Sequence, residues 1–255
     1  VTGAGGGALA GPGGDAAADP AAWAPDWLSD LPAAGDSLWR GVEAQHRIAT
    51  MKVVDTVAEQ DILEDLLEAS KPPLPPQAAG LHFLLATPFR YVSAWPSRFR
   101  AAGEPGIWYG ARHLTTACAE VGYWRWRFGT DSDGLRGRAV VSEHTFFEAT
   151  VAGRLLDLTA APWSGLEPSW MHGSDYSACH AVARAAREAG AAWIRYRSVR
   201  DPAHGPCGAV MAPQALSAGD LTRQQTWACK VSGGTVLMRP LGVAAEGGPL
   251  EFAFG

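Results

Sequence analysis

Three residues able to grip an anion, stack on a ring and stabilise a cation stand at even spacing in one segment. They are Arg98, Tyr109 and Glu120, eleven residues apart each time, in "SRFRAAGEPGIWYGARHLTTACAE" (97–120). Arginine presents a planar fork of donors that suits phosphate oxygens. Tyrosine offers a flat face and a hydroxyl, and glutamate can orient or deprotonate a nucleophile or stabilise developing positive charge. Eleven residues make about three helical turns, so a single helix would align all three. Gly103, Pro105 and Gly110 exclude that helix, because proline is costly in a helix interior. Tertiary structure must bring the three together.

Each residue has a plain reading as well: a surface charge for Arg98, packing for Tyr109, a solvent-facing helix position for Glu120. Glu120 carries more weight, because Ala117, Cys118, Ala119 and Val121 surround it. A carboxylate among small apolar residues is partly desolvated, which shifts its pKa and favours functional use. Ser198, in "YRSVR", is a fourth candidate whose plain alternative is a strand hydrogen bond. Arg90, Arg98, Arg100 and Arg112 lie close in sequence, a local density that suits an anionic small molecule.

The elements that must position these residues follow from pattern. Residues 1–36 are rich in Gly, Ala, Pro and Asp and read as a mobile leader, with Trp23 and Trp27 docking locally. "GAGGGA" (3–8) formally matches a dinucleotide fingerprint, but no strand precedes it, and low complexity explains it better. Residues 37–76 read as a helical extension, capped by Asp36 or Ser37, with Ile48, Met51, Val54 and Val57, then Ile62, Leu63, Leu66 and Leu67, at helical spacing. "KPPLPP" (71–76) ends it. From 77 to 255 the pattern is mixed. "LHFLLA", "GIWYG", "RAVVS", "TFFEATV", "RLLDLT", "AWIRYRSV" and "TVLMRP" read as strands. "LTTACAEVGYWRWRF" and "SDYSACHAVARAAREAG" read as helices, the second capped by Ser174 or Asp175 and stopped at Gly190. Strands that outnumber helices without alternating point to an α+β fold, a curved mixed or antiparallel sheet with flanking helices.

Bulk properties narrow the classes. A chain of 255 residues at formal charge −5, with no long Lys/Arg run, does not look like a nucleic-acid binder. Cys118, Cys179, Cys207 and Cys229 are widely spaced with no C-x-x-C pair, which predicts reduced, buried thiols and no metal site. No apolar run approaches a membrane span and no signal-peptide pattern is visible, so the expected location is the cytoplasm.

"PFRY", "SRFR", "GIWYGA", "TTACAEVGYWRWRF" and "IRYRSVR", in this order and spacing, resemble the RES-domain family, named for its Arg, Glu and Ser. The resemblance covers about residues 37–240, and the stretch before "KPPLPP" looks like the helical extension of the family's longer members. It implies a fold like that of ADP-ribosyltransferase toxins and an intracellular enzyme using NAD as substrate with no metal. Family members include NAD-degrading toxins of toxin–antitoxin pairs and a protein ADP-ribosyltransferase. The family's Arg, Tyr, Glu and Ser fall on Arg98, Tyr109, Glu120 and Ser198, with Arg90 as a second anion-binding residue. Where small members have a Gly-Arg-Trp-Asn-like stretch this chain has "SRFRAAG", so Arg100 competes with Arg98. An Xre-type antitoxin is the implied partner, and self-association stays open. Two rivals remain: a catalytically silent NAD- or partner-binding module, and a Ser or Cys hydrolase built on Cys207 and His204.

Overall fold

A computed structural model describes residues 23–43, 53–217, 221, 223–242 and 247–255. The "GAGGGA" run and the helical positions Ile48 and Met51 lie outside the described residues. Among the described residues there are eight strands: β1 (Ala33–Glu43), β2 (Trp108–Ala111), β3 (Val140–Asp157), β4 (Trp193–Arg197), β5 (Pro206–Val210), β6 (Arg223–Ser232), β7 (Thr235–Leu241) and β8 (Leu250–Ala253). The helices are α1 (Val57–Ala69), α2 (Phe83–Arg90), α3 (Leu114–Asp131), the single turn α4 (Glu167–Trp170) and α5 (Ser177–Glu188). Every strand pair is antiparallel except β3 with β4, which gives the mixed α+β sheet that the strand-rich pattern implied.

The sheet closes on part of itself. β1 pairs with β2 and with β3, and the order β1-β2-β5-β4-β3 therefore forms a ring, from which β6, β7 and β8 continue as an open wing. Alternation along the ring strands sends Leu38, Trp108, Phe147, Val151, Leu155, Trp193 and Val210 into one buried cluster, roofed by Leu85, Ala86 and Phe89 of α2. Each large side chain so buried contributes roughly 1.5–3 kcal/mol. The opposite faces of these strands join α3, α5 and the wing in a second core that includes Trp39, Phe99, Phe146, Ile194 and Trp227.

Three sequence expectations are corrected here. Residues 37–43 are strand, not helix: β1 is paired with β3 over eleven consecutive positions, from Ala33 opposite Arg154 to Glu43 opposite His144. Its period is two, with Leu38 in the inner core and Trp39 in the outer one. Ladder pairing and two-sided burial outweigh local helix propensity, and residues 33–36 belong to this strand as well, not to a leader. The helix instead begins at Val57, where Thr56 and Glu59 form a reciprocal capping box. "LHFLLA" is helical from Phe83 on: the His82 ring accepts from the Leu84 N–H, and Leu85, Ala86 and Phe89 bury one face. Finally, "RAVVS", "TFFEATV" and "RLLDLT" merge into the single strand β3. At the N-terminal side Trp23 and Trp27 do dock, their rings packing on Trp163 at 5.9 and 5.2 Å between centroids.

Gly106 shows how tightly α2 is set against β2. A Cβ there would lie 1.7 Å from the Pro88 carbonyl oxygen, a backbone atom that cannot swing aside. Gly106→Ala is therefore expected to cost at least about 1–3 kcal/mol, measured as a fall in the denaturant midpoint; a midpoint equal to wild type would contradict this packing.

Candidate active site

The cavity opens where the ring is weakest. β1 and β2 meet in register at a single pair, Trp39 opposite Ala111, and then diverge. Arg40 bridges the gap, its Nη1 donating 2.9 Å to the Tyr109 carbonyl while its guanidinium lies 5.6 Å from the Trp108 ring centre. Burial lowers the Arg40 pKa to about 10, which leaves it charged at neutral pH. A cavity of about 430 Å³ lies along this opening, between β1, β2 and α3. Gly41 lets α3 approach: a Cβ there would meet Val121 at 2.7 Å and the Phe146 ring at 2.5 Å.

Glu120 lines this cavity from α3. Its Oε1 accepts from Ser198 Oγ at 2.6 Å. Ser198 Oγ in turn accepts from the backbone N–H groups of Arg200 at 3.1 Å and Asp201 at 3.0 Å. The hydroxyl thus spends its one donor and both acceptor sites on protein groups, and Ser198 is wholly buried. A hydroxyl so occupied orients Glu120 and has no hydrogen bond left for a ligand in this arrangement. The segment 198–205 is fixed by Asp201, which accepts from Thr116 Oγ1 at 2.7 Å and from the backbone of Ala203 and Gly205.

Desolvation raises the Glu120 pKa above the ordinary glutamate range. The Ser198 hydrogen bond and the nearby Arg98 and Arg200 charges oppose that shift. Arg98 also lines the cavity. Its Nη1 donates to the carbonyls of Trp170 at 2.8 Å and His172 at 3.0 Å, and its guanidinium lies 4.9 Å from the centre of the Tyr176 ring. Arg200 donates to the Gly173 carbonyl and stacks 3.7 Å from the Tyr123 ring centre. Two guanidiniums therefore face one desolvated carboxylate, each held by carbonyls and an aromatic face.

Tyr109 borders the cavity, but its hydroxyl is engaged, sharing a 2.9 Å bond with Ser97 Oγ and accepting from the Phe99 N–H at 3.1 Å. These partners flank Arg98, so the Tyr109 hydroxyl sets the Arg98 loop, assisted by His180 Nε2, 2.8 Å from the Ser97 carbonyl oxygen.

The remaining arginines do not converge. Arg100 Nη2 donates to the Trp95 carbonyl at 2.7 Å, and Arg90 pairs with Glu68 of α1 at 2.6 Å; neither lines the cavity. Between Arg98 and Arg100, the one facing Glu120 is Arg98. Arg40 and Arg200 take the places that local arginine density gave to Arg90 and Arg100. The missed signals were the "LWRG" alternation and the Arg two residues beyond Ser198.

All four cysteines are buried free thiols. Cys207 reaches the cavity wall, but burial and the Glu120 and Asp201 carboxylates push its thiol well above the usual range. His204 Nδ1 lies 2.8 Å from the Ser198 carbonyl oxygen, so it is not spent on Cys207. A thiol kept protonated is a poor nucleophile. Among the described residues no group of three or more His, Cys, Asp or Glu could hold a metal ion, and no helix is long and apolar enough to cross a membrane.

Compared with known families, the chain matches the RES domain over residues 74–232, more than half its length. It belongs to the RES-domain family. The matched span contains α2 to β6, with Arg98, Tyr109, Glu120 and Ser198, while β1 with Arg40 precedes it. No curated protein matches the chain. Among solved structures it is similar to a chain of the M. tuberculosis MbcT–MbcA toxin–antitoxin complex, at 16% identity and a TM-score of 0.45, over 78% of this chain and 87% of that one.

In this RES domain the Ser198–Glu120 contact has a stability consequence. Ser198→Ala would strand two buried N–H groups and one carboxylate oxygen, at a cost of about 1–3 kcal/mol. Glu120→Gln should act oppositely. The folded state holds the Glu120 proton more tightly than the unfolded chain, so ionising Glu120 subtracts stability as pH rises through the window between the two pKa values. The glutamine variant is expected to melt at or above the wild-type temperature at pH 7, with the difference shrinking toward pH 4. A variant that melts well below wild type at pH 7 would contradict the desolvation reading.

Proposed function

We propose that this RES-domain protein cleaves the bond between nicotinamide and ribose in NAD and acts as the toxin of a toxin–antitoxin pair. The observation that carries the reading is the Glu120 carboxylate, desolvated, oriented by Ser198 and flanked by Arg98 and Arg200 in a cavity large enough for a nucleotide. The family resemblance supplies NAD and the toxin role. The chemistry of the site supports it independently.

Breaking the glycosidic bond sends its electron pair to the nicotinamide nitrogen, which neutralises the pyridinium and leaves positive charge at the anomeric carbon. Because the leaving group departs neutral, no general acid is needed, unlike in ordinary glycoside hydrolysis. What the enzyme must supply is a grip on the diphosphate and an anion near the anomeric carbon. Arg98, Arg40 and Arg200 provide cationic groups along the cavity wall. Glu120 provides the anion, and its raised pKa suits it to take the proton released when water attacks, giving ADP-ribose. With phosphate as acceptor the product is ADP-ribose 1″-phosphate; with a protein side chain it is an ADP-ribosylated protein. The same residues serve all three reactions, and the acceptor is whichever species reaches the cation. An antitoxin of the Xre type that covers this cavity would be the neutralising partner, and action in the cytoplasm, where NAD is available, follows from the same reading.

The test is nicotinamide release from NAD by the purified protein, with and without phosphate. Glu120→Gln is expected to lower kcat by about 10²–10⁴, and wild-type kcat/KM should fall on the acid side at a pH above the ordinary glutamate range as Glu120 protonates. Near-normal turnover in the glutamine variant would remove Glu120 from the chemistry; no nicotinamide release by wild type would remove NAD cleavage itself.

A further inference from the structure

Helix α1 carries an apolar face with little packed against it. None of its thirteen residues, Val57–Ala69, is buried. Most protein helices owe their stability to a packed apolar face, and one of this length is marginal alone. What holds α1 is local. The Thr56–Glu59 capping box fixes its start, Gln60 Nε2 donates 3.2 Å to Glu64 Oε1, and Glu68 pairs with Arg90 at the end of α2.

The sides of this helix differ in chemistry. At 3.6 residues per turn, Ala58, Ile62, Leu66 and Ala69 line up as one stripe. All four are exposed, Ile62 at 60% and Leu66 at 63%. Gln60, Leu63 and Glu64 are half-buried, so the stripe points away from the body of the protein. Beside it run Asp61, Asp65 and Glu68. Glu68 is held by Lys71 and Arg90, whereas Asp61 and Asp65 meet no cation among the described residues.

A second apolar feature adjoins α1. Arg90, the partner of Glu68, leads directly into a loop on which Val92 is exposed and Trp95 is 81% exposed. The loop is held in place. Val92 bridges to Pro105, the Ser93 carbonyl accepts from the Gly103 N–H at 3.0 Å, and the Trp95 carbonyl accepts from Arg100 at 2.7 Å. A tryptophan presented on a fixed backbone loses little freedom on binding, and such residues dominate protein interfaces.

Charge decides what can sit here. Residues 53–95 carry six carboxylates, Asp55, Glu59, Asp61, Glu64, Asp65 and Glu68, against two cations, Lys71 and Arg90. That net −4 is most of the chain's −5. A second copy would set the same acidic helix against this one, and nucleic acid or an anionic lipid surface would be repelled likewise. We propose that α1 and the Trp95 loop form a docking surface for a protein partner whose apolar contact is rimmed by lysine or arginine. α1 precedes the segment that matches the RES domain, so the surface is an addition to the shared domain. It requires nothing of the reaction at Glu120.

The test titrates the full chain into a fluorescein-labelled amphipathic helical peptide of leucine and lysine, read by anisotropy, with a leucine–glutamate peptide as control. The lysine peptide is expected to bind and the glutamate peptide not. Ile62→Ser with Leu66→Ser, Asp61→Lys with Asp65→Lys, and Trp95→Ala should each weaken binding at least about tenfold. All five side chains are exposed, so the variants are expected to melt with the wild type. Binding that survives the double substitution at Ile62 and Leu66 would be adsorption by charge alone and would overturn the surface. Equal affinity for the two peptides, none included, or wild-type affinity in Trp95→Ala would do the same. Sedimentation of the chain without peptide decides the other occupant: self-association abolished by Ile62→Ser with Leu66→Ser would give this face to a second copy and overturn the basic partner.

Discussion

A carboxylate removed from water needs support to ionise, and here the first support is one hydroxyl, ahead of the Arg98 and Arg200 charges. Ser198 Oγ donates to Glu120 and is itself fixed by two backbone N–H groups, so the acceptor sites of the serine are saturated and its proton has one place to go. The geometry of the chain around it follows from that requirement. Thr116 and Glu120 stand four residues apart on one face of α3. Thr116 holds the Asp201 carboxylate while Glu120 takes Ser198. The helix and the loop after β4 are therefore joined at both ends of a short segment, and neither can shift without breaking a buried polar contact. Gly205 completes the junction, since a Cβ there would collide with Thr116 Oγ1 at 2.2 Å.

The same arrangement explains why the arginines come from distant parts of the chain. A guanidinium near a desolvated carboxylate must keep its remaining donors satisfied or accept a large penalty. Arg98 and Arg200 do so with main-chain carbonyls from the 170–173 turn and with the faces of Tyr176 and Tyr123. That turn is backed by Trp163 and Trp170, against which Trp23 packs. The tryptophan cluster at the N-terminal side thus supports the carbonyls that hold Arg98, and packing remote from the cavity reaches the site through two hydrogen bonds.

How much of this was legible in the sequence depends on the range of the interaction that fixes each residue. Glu120 stood out because its apolar neighbours are local, and its helix carried a helical pattern. Arg98 and Tyr109 were legible as a constellation, although the role of the Tyr109 hydroxyl, bonding the residues on either side of Arg98, depends on a loop conformation that no spacing reveals. Ser198 was found, but its direction was not: a serine after a strand faces either a ligand or a neighbouring helix, and only the placement of α3 decides. β1 was misread because its helix-like spacing and its strand alternation coexist over seven residues, and the eleven-residue ladder to β3 that settles the matter joins segments about a hundred positions apart. Arg40 was lost with it. Arg90 was legible as a charge near the site in sequence, whereas Glu68 of α1 claims it in space.

The position of the cavity is itself a consequence of incomplete sheet closure. A fully paired ring would satisfy the Tyr109 carbonyl with a β1 amide and leave no opening between β1 and β2. With only Trp39 and Ala111 in register, that carbonyl needs another donor, and Arg40 supplies it from the strand on the far side of the gap. The bond keeps the split at a fixed width, and its charge-assisted character makes it stronger than the neutral ladder bond it replaces. It also commits a positive charge to the cavity wall. The defect in the ladder and the cation that repairs it are therefore linked: closing the strands further would remove the cavity, and opening them further would strand the Tyr109 carbonyl. A ring held between those limits keeps its cavity open without unfolding its own edge.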